Sequence, residues 1–194
     1  MSSDSRGDER TLREIYLAAF EGAVRKEKPW TVMCSYNKIN GTYAAQNHKY
    51  LTEVLRDEWG FEGYVMSDWG AVNNRVEDLK AGLDLEMPSS MGANDRLIVG
   101  AVQSGELEES VLDTAVERIL NVVFHYEENR DRSAEFDRDK DHEMARKVAQ
   151  ETIVLLKNEG VLPLAEKDEV VFIGKYAKTP RYQGGGSSHI NSHK

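Results

Sequence analysis

The sequence predicts an α/β fold built on parallel strands. Two observations predict it. Between residues 30 and 87, short apolar runs rich in β-branched and aromatic residues alternate with amphipathic stretches. Each run is nearly continuous rather than alternating, the pattern of strands buried on both faces, and the links between runs contain helices.

The elements follow in order. Residues 1–7 read as a tail. Residues 8–27 read as a helix, with Leu12, Ile15, Tyr16, Ala19, Phe20, Ala23 and Val24 at helical spacing and Pro29 beyond its end. Residues 30–35 (WTVMCS) form the first expected strand. Residues 37–47 are polar, contain Asn40-Gly41, and read as a loop. A helix over 49–58 turns Leu51, Val54 and Leu55 inward and stops at Gly60. A second strand covers 64–67, a short helix 74–81 and a third strand 83–87. Helices are expected at 95–103, 108–126 and 139–157, with a charged linker at 127–138 between the last two. A further strand is expected at 170–173, before the glycine-rich segment at 183–188.

Composition narrows the function classes. The chain has 194 residues, a formal net charge of −9, 40% hydrophobic and 30% charged residues. That is the composition of a globular protein. No basic stripe offers itself to nucleic acid, and no apolar run approaches the ~20 residues of a membrane span. One cysteine, Cys34, excludes an internal disulfide and reads as a small buried hydrophobe. His48, His125, His142, His189 and His193 show no metal-ligand spacing. The polar start MSSDSRGDER lacks the apolar stretch of a secretory signal. This leaves the location open and favours the cytoplasm only if the chain is whole.

In parallel α/β folds, chemistry gathers at the carboxyl ends of strands. Those ends carry Ser35-Tyr36-Asn37, Ser67-Asp68-Trp69 and Glu86-Met87-Pro88. A carboxylate beside an indole and a phenol suits sugar chemistry. The aromatic face packs on pyranose C–H groups, and the carboxylate meets an oxocarbenium-like anomeric carbon. From pattern alone the competing reading is that Asp68 caps the next helix and Trp69 is core. Met33 reads as core packing or a substrate contact. Glu86 reads as structural.

The stretch VMCSYNKINGTYAAQNHKYLTEVLRDEWGFEGYVMSDWGAV closely resembles the β-glucosidase branch of glycoside hydrolase family 3. ERTLREIYLAAFEGAV, AGLDLEMP and ETIVLLKNEGVLPL agree with it in order. The resemblance implies a segment of an incomplete (β/α)8 TIM-like barrel, followed by helices and the first strand of an α/β sandwich. Residues 1–126 would be the back part of the barrel domain, 127–160 the interdomain linker and helix, and 161–194 the start of the sandwich.

The resemblance also implies roles. Asp68 occupies the position of the catalytic nucleophile of a retaining enzyme acting on terminal β-D-glucosyl residues. Tyr36 lies beside it, and Trp69 lines the sugar site. Ser187 or Ser188, in a glycine- and serine-rich loop, would approach substrate. No metal or organic cofactor is implied, and the partner is a β-glucoside or oligosaccharide. The family's upstream sugar-binding Asp, Lys-His pair and Arg have no counterpart here, and no Glu follows Glu169 to serve as general acid/base. The chain is therefore expected to be a partial enzyme with impaired turnover alone. Other expectations are a non-catalytic sugar-binding remnant, a subunit complementing a separate N-terminal half, self-association, or a β-xylosidase of the same family. The hexosaminidase branch, with its His-Asp acid/base, has no matching motif.

Overall fold

The computed structural model describes residues 3–191; His193 lies outside them. The chain divides into two units, 1–130 and 131–194.

In the first unit, β1 (Asp4–Ser5) pairs in parallel with β3 (Lys38–Ile39), which pairs antiparallel with β4 (Thr42–Tyr43). This hairpin lies inside the segment expected to be a loop. Asn40 and Gly41 both have positive φ, 50° and 91°, as a two-residue type I′ turn requires. An Asn-Gly pair adopts that turn at little cost, and the hairpin follows from it.

The helix expected at 8–27 is interrupted. It consists of α1 (Glu9–Thr11), a π-helical turn (Leu12–Tyr16) and α2 (Ala18–Glu27). Asp8 caps α1 by accepting from the Thr11 N–H. Of the seven apolar residues expected on its inner face, only Leu12 and Val24 are buried; Ile15, Tyr16 and Phe20 are exposed. The periodicity identifies an apolar face, but most of it is exposed among the described residues.

The central sheet joins β2 (Thr31–Met33) to β5 (Tyr64–Met66) in parallel, Val32 opposite Val65. The helix between them, Lys49–Glu58, is π-wound and buries Leu51, Val54 and Leu55, the three residues expected inward. Gly63 sits where a Cβ would meet the Trp30 carbonyl oxygen at 2.0 Å, so only glycine lets the two strands approach here. The core around them contains Val24, Cys34, Leu51, Val54, Trp59, Phe61, Val65 and Leu83.

The third expected strand is reduced to one parallel bridge, Met66 to Leu85. Before it comes α3 (Arg75–Ala81), capped by Asn74, whose side chain accepts from the Val76 and Glu77 N–H groups. Two longer helices follow, α4 (Ala93–Ser104) and α5 (Glu109–Asn129), packed on α3 through Val76, Leu79, Ala101, Leu107 and Ala115. α5 takes in the start of the expected linker.

The second unit contains α6 (Arg138–Thr152), capped by Asp137, and the short α7 (Lys175–Lys178). No described residue beyond 130 is buried. The strand expected at 170–173 does not form: its residues are exposed and pair with nothing in the described ladders. An apolar β-rich run becomes a strand only when a neighbour supplies its hydrogen bonds.

Candidate active site

The site lies at the carboxyl ends of β2 and β5. The Cys34 N–H donates to the Met66 carbonyl at 2.9 Å, carrying the β2–β5 pairing one residue past the strands. Ser35-Tyr36 and Ser67-Asp68 thus leave the sheet side by side. Beyond Asp68 the chain turns sharply. The Ala71 N–H donates to the Asp68 carbonyl at 3.0 Å, and the Gly70 N–H to the Met87 carbonyl at 2.8 Å. Ser67 fastens the same corner: its Oγ donates to the Met87 carbonyl at 3.1 Å and accepts the Met87 N–H at 2.8 Å.

Within this corner three expected residues meet. Asp68 Oδ1 accepts the Trp69 N–H at 2.6 Å. The Tyr36 hydroxyl donates to the Trp69 carbonyl at 2.7 Å. The Tyr36 pKa is raised, first by lost hydration and then by the neighbouring Asp68 carboxylate, which favours the neutral phenol over a phenolate. Asp68 does not cap the next helix; Asn74 does, six residues on. Trp69 is 65% exposed.

A cavity of about 480 Å³ opens beside Asp68, walled by Phe20, Val24, Val32, Met33, Cys34 and Ser35. A second, of about 570 Å³, shares Phe20 and Met33 and reaches Tyr16, Asn37 and Tyr50. Met33 lines both and is 56% exposed. Tyr36 and Trp69 line neither cavity. Cys34 is buried, and burial pushes its thiol up to about 11, so it stays a neutral thiol. Glu86 is occupied by the Asn94 side-chain amide, which donates to it at 2.6 Å. Ser187 and Ser188 belong to the second unit, where the Ser188 hydroxyl donates to the Gly185 carbonyl at 2.9 Å. Among the described residues, no three His, Cys, Asp or Glu side chains gather as a metal site.

Beneath the site is a charged cluster that sequence reading passed over. Asp84, almost wholly buried, accepts from Arg56 at 2.6 Å and Arg118 at 3.0 Å. Arg75, also buried, donates to the Leu83 and Asp84 carbonyls at 3.0 and 2.8 Å. Asp78 is fully buried on α3. One signal was available: Asp84 interrupts the apolar run Leu83-Asp84-Leu85, and a carboxylate in a buried strand requires partners.

A carboxylate and aromatics delivered to the carboxyl ends of parallel strands form the layout of a barrel-type enzyme module. Comparison with known proteins makes this specific. Residues 3–122 match the glycosyl hydrolase family 3 N terminal domain. The chain is 57% identical over 191 residues to thermostable beta-glucosidase B of Acetivibrio thermocellus, covering 98% of this chain and 25% of the relative. It is 49% identical to exo-alpha-(1->6)-L-arabinopyranosidase of Bifidobacterium breve, covering 98% of this chain and 26% of that protein. Beta-glucosidase 3B from Thermotoga neapolitana, solved with alpha-D-glucose, superposes with a TM-score of 0.90 at 42% identity, over 98% of this chain and 28% of that one. The chain belongs to glycosyl hydrolase family 3. It carries part of that family's TIM-like barrel and spans about a quarter of the length of the curated relatives it matches.

Proposed function

We propose that this chain carries the nucleophile half of a retaining β-glucosidase-type site. The carrying observation is Asp68 at the end of a parallel strand, beside Tyr36 and Trp69 and open to an apolar-walled cavity. In this reading the Asp68 carboxylate attacks the anomeric carbon of a β-D-glucoside. The C1–O bond to the aglycone breaks with its electron pair leaving on oxygen. A glycosyl ester forms, and water then cleaves it with net retention. The Tyr36 hydroxyl holds the Trp69 backbone in place beside Asp68. Trp69 offers its exposed indole to the sugar. Met33 forms an apolar wall. Ser187 and Ser188 are further proposed contacts, on the resemblance alone.

A second reading is favoured by the arabinopyranosidase relatives. An α-L-arabinopyranoside presents an equatorial leaving group on a pyranose ring, as a β-D-glucoside does, so the same displacement serves both.

The test is mechanism-based labelling. The chain is incubated with 2,4-dinitrophenyl 2-deoxy-2-fluoro-β-D-glucoside, whose acidic leaving group departs without a proton donor. Peptide mass spectrometry is expected to find the fluoroglucosyl ester on Asp68, and Asp68→Asn to abolish it. An adduct on another residue, or none, would overturn the assignment. The arabinopyranosyl analogue run in parallel reads the sugar preference.

A further inference from the structure

The strand that carries Asp68 is clamped by side chains on one flank, where a full neighbouring strand would otherwise hold it. The backbone ladder between β5 and residues 83–87 is reduced to the Met66–Leu85 bridge. Ser67 N–H reaches the Leu85 carbonyl at 2.9 Å, and the Asp84 and Leu85 N–H groups both converge on the Val65 carbonyl at 3.0 Å. The Val65 N–H goes to a side chain: Asp84 Oδ2 accepts it at 2.8 Å. The Leu83 carbonyl accepts from Arg75.

The same Asp84 carboxylate accepts from Arg56, on the Lys49–Glu58 helix, and from Arg118, on α5. Arg56 in turn donates to the Gly63 carbonyl at 2.9 Å, just before β5 begins. One buried carboxylate thus ties β5 to two helices, three residues before Asp68. Stability alone does not account for it. Burying a charged cluster costs desolvation that apolar side chains of similar volume avoid. What the charged arrangement supplies and apolar packing does not is a directional bond that fixes strand register.

We infer that Asp84 is a positioning residue for Asp68: with Arg56 and Arg118 it locks the register of β5 and so the aim of the carboxylate at the strand's end. The inference rests on the reading of Asp68 as nucleophile. It acts through the strand, not through contact with substrate.

The test uses the full chain with Asp84→Asn and, as a milder variant, Arg118→Gln, which leaves the Val65 and Arg56 bonds in place. Hydrogen–deuterium exchange is read at residues 64–69 and at α4 as an internal reference. Asp84→Asn is expected to speed exchange at 64–69 by roughly ten- to a hundredfold and leave α4 unchanged. Arg118→Gln is expected to do the same more weakly, and it carries the test if Asp84→Asn does not fold. In the labelling reaction, the limiting rate is expected to fall on the order of 10–100-fold with the half-saturating concentration unchanged. Three results would overturn the inference: unchanged exchange at 64–69, a uniform rise that includes α4, or faster local exchange with an unchanged labelling rate. If the unmodified chain fails to label, the glycosidase reading fails, and the exchange comparison still decides whether Asp84 holds the strand.

Discussion

Asp68 and Asp78 are both carboxylates of the first unit, but their surroundings differ. Asp68 is partly exposed at a strand end and bonded to its neighbour's N–H. Asp78 is fully buried, and its oxygens find no hydrogen-bond partner of good geometry. Burial pushes its pKa up to about 6; the Gln46 amide and the Arg75 guanidinium offset only part of this, and Glu86 and Glu77 add to the rise. A carboxyl held above its ordinary pKa in the folded state is a liability when charged. The penalty is full above about pH 6 and disappears as pH falls through the raised value toward the ordinary carboxylate range. Asp78→Asn is therefore expected to stabilise the chain by about 1–3 kcal/mol at pH 7.5 and by nothing below pH ~4. Urea unfolding at the two pH values checks this; a gain that persists in acid would contradict it.

At the scale of elements, the β2–β5 pair decides where the site is. Its register sets Ser35-Tyr36 beside Ser67-Asp68, and that register depends on the close approach of Gly63 to the Trp30 carbonyl. Gly63→Ala would place a methyl at 2.0 Å from that oxygen, far inside contact distance, so the strands must separate. It is expected to destabilise the unit by about 2–4 kcal/mol, in the range of overpacked core positions and beyond. Thermal unfolding reads the loss. Gly100→Ala, on α4 with nothing within 4 Å of the added carbon, is the control and should be neutral or slightly stabilising. The helix caps were legible in sequence only in part. Asn74 opens a helix expected at 74–81, but the five-residue turn between Asp68 and Asn74 was not foreseen, because it is closed by Met87, nineteen residues along the chain from Asp68.

At the scale of the molecule, exposed apolar surface dominates. Ile15, Tyr16 and Phe20 stand out from the first unit together with Met33. In the second unit Ile153, Leu156, Phe172 and Ile173 are exposed. Among the described residues, β2 has a ladder partner on one side only. Apolar faces and open strand edges of this kind seek cover. The isolated chain is expected to elute from gel filtration ahead of a 21.9 kDa monomer and to enhance the fluorescence of a hydrophobic probe. A sharp monomer peak without probe binding would show that the faces are covered within the chain.

The sequence by itself determined the strand–helix alternation, the inward residues Leu51, Val54 and Leu55, and the family, because each rests on local periodicity or on motifs read in order. It also singled out Asp68, Tyr36 and Trp69 as neighbours at strand ends. Only the tertiary structure decided that residues 83–87 form one bridge instead of a strand, and that residues 170–173 pair with nothing among the described ladders. It alone revealed Asp84 with Arg56 and Arg118. The reason is physical: a strand is completed by a distant neighbour and the Asp84 charge by partners 28 and 34 residues away, and no local pattern states which partners will arrive.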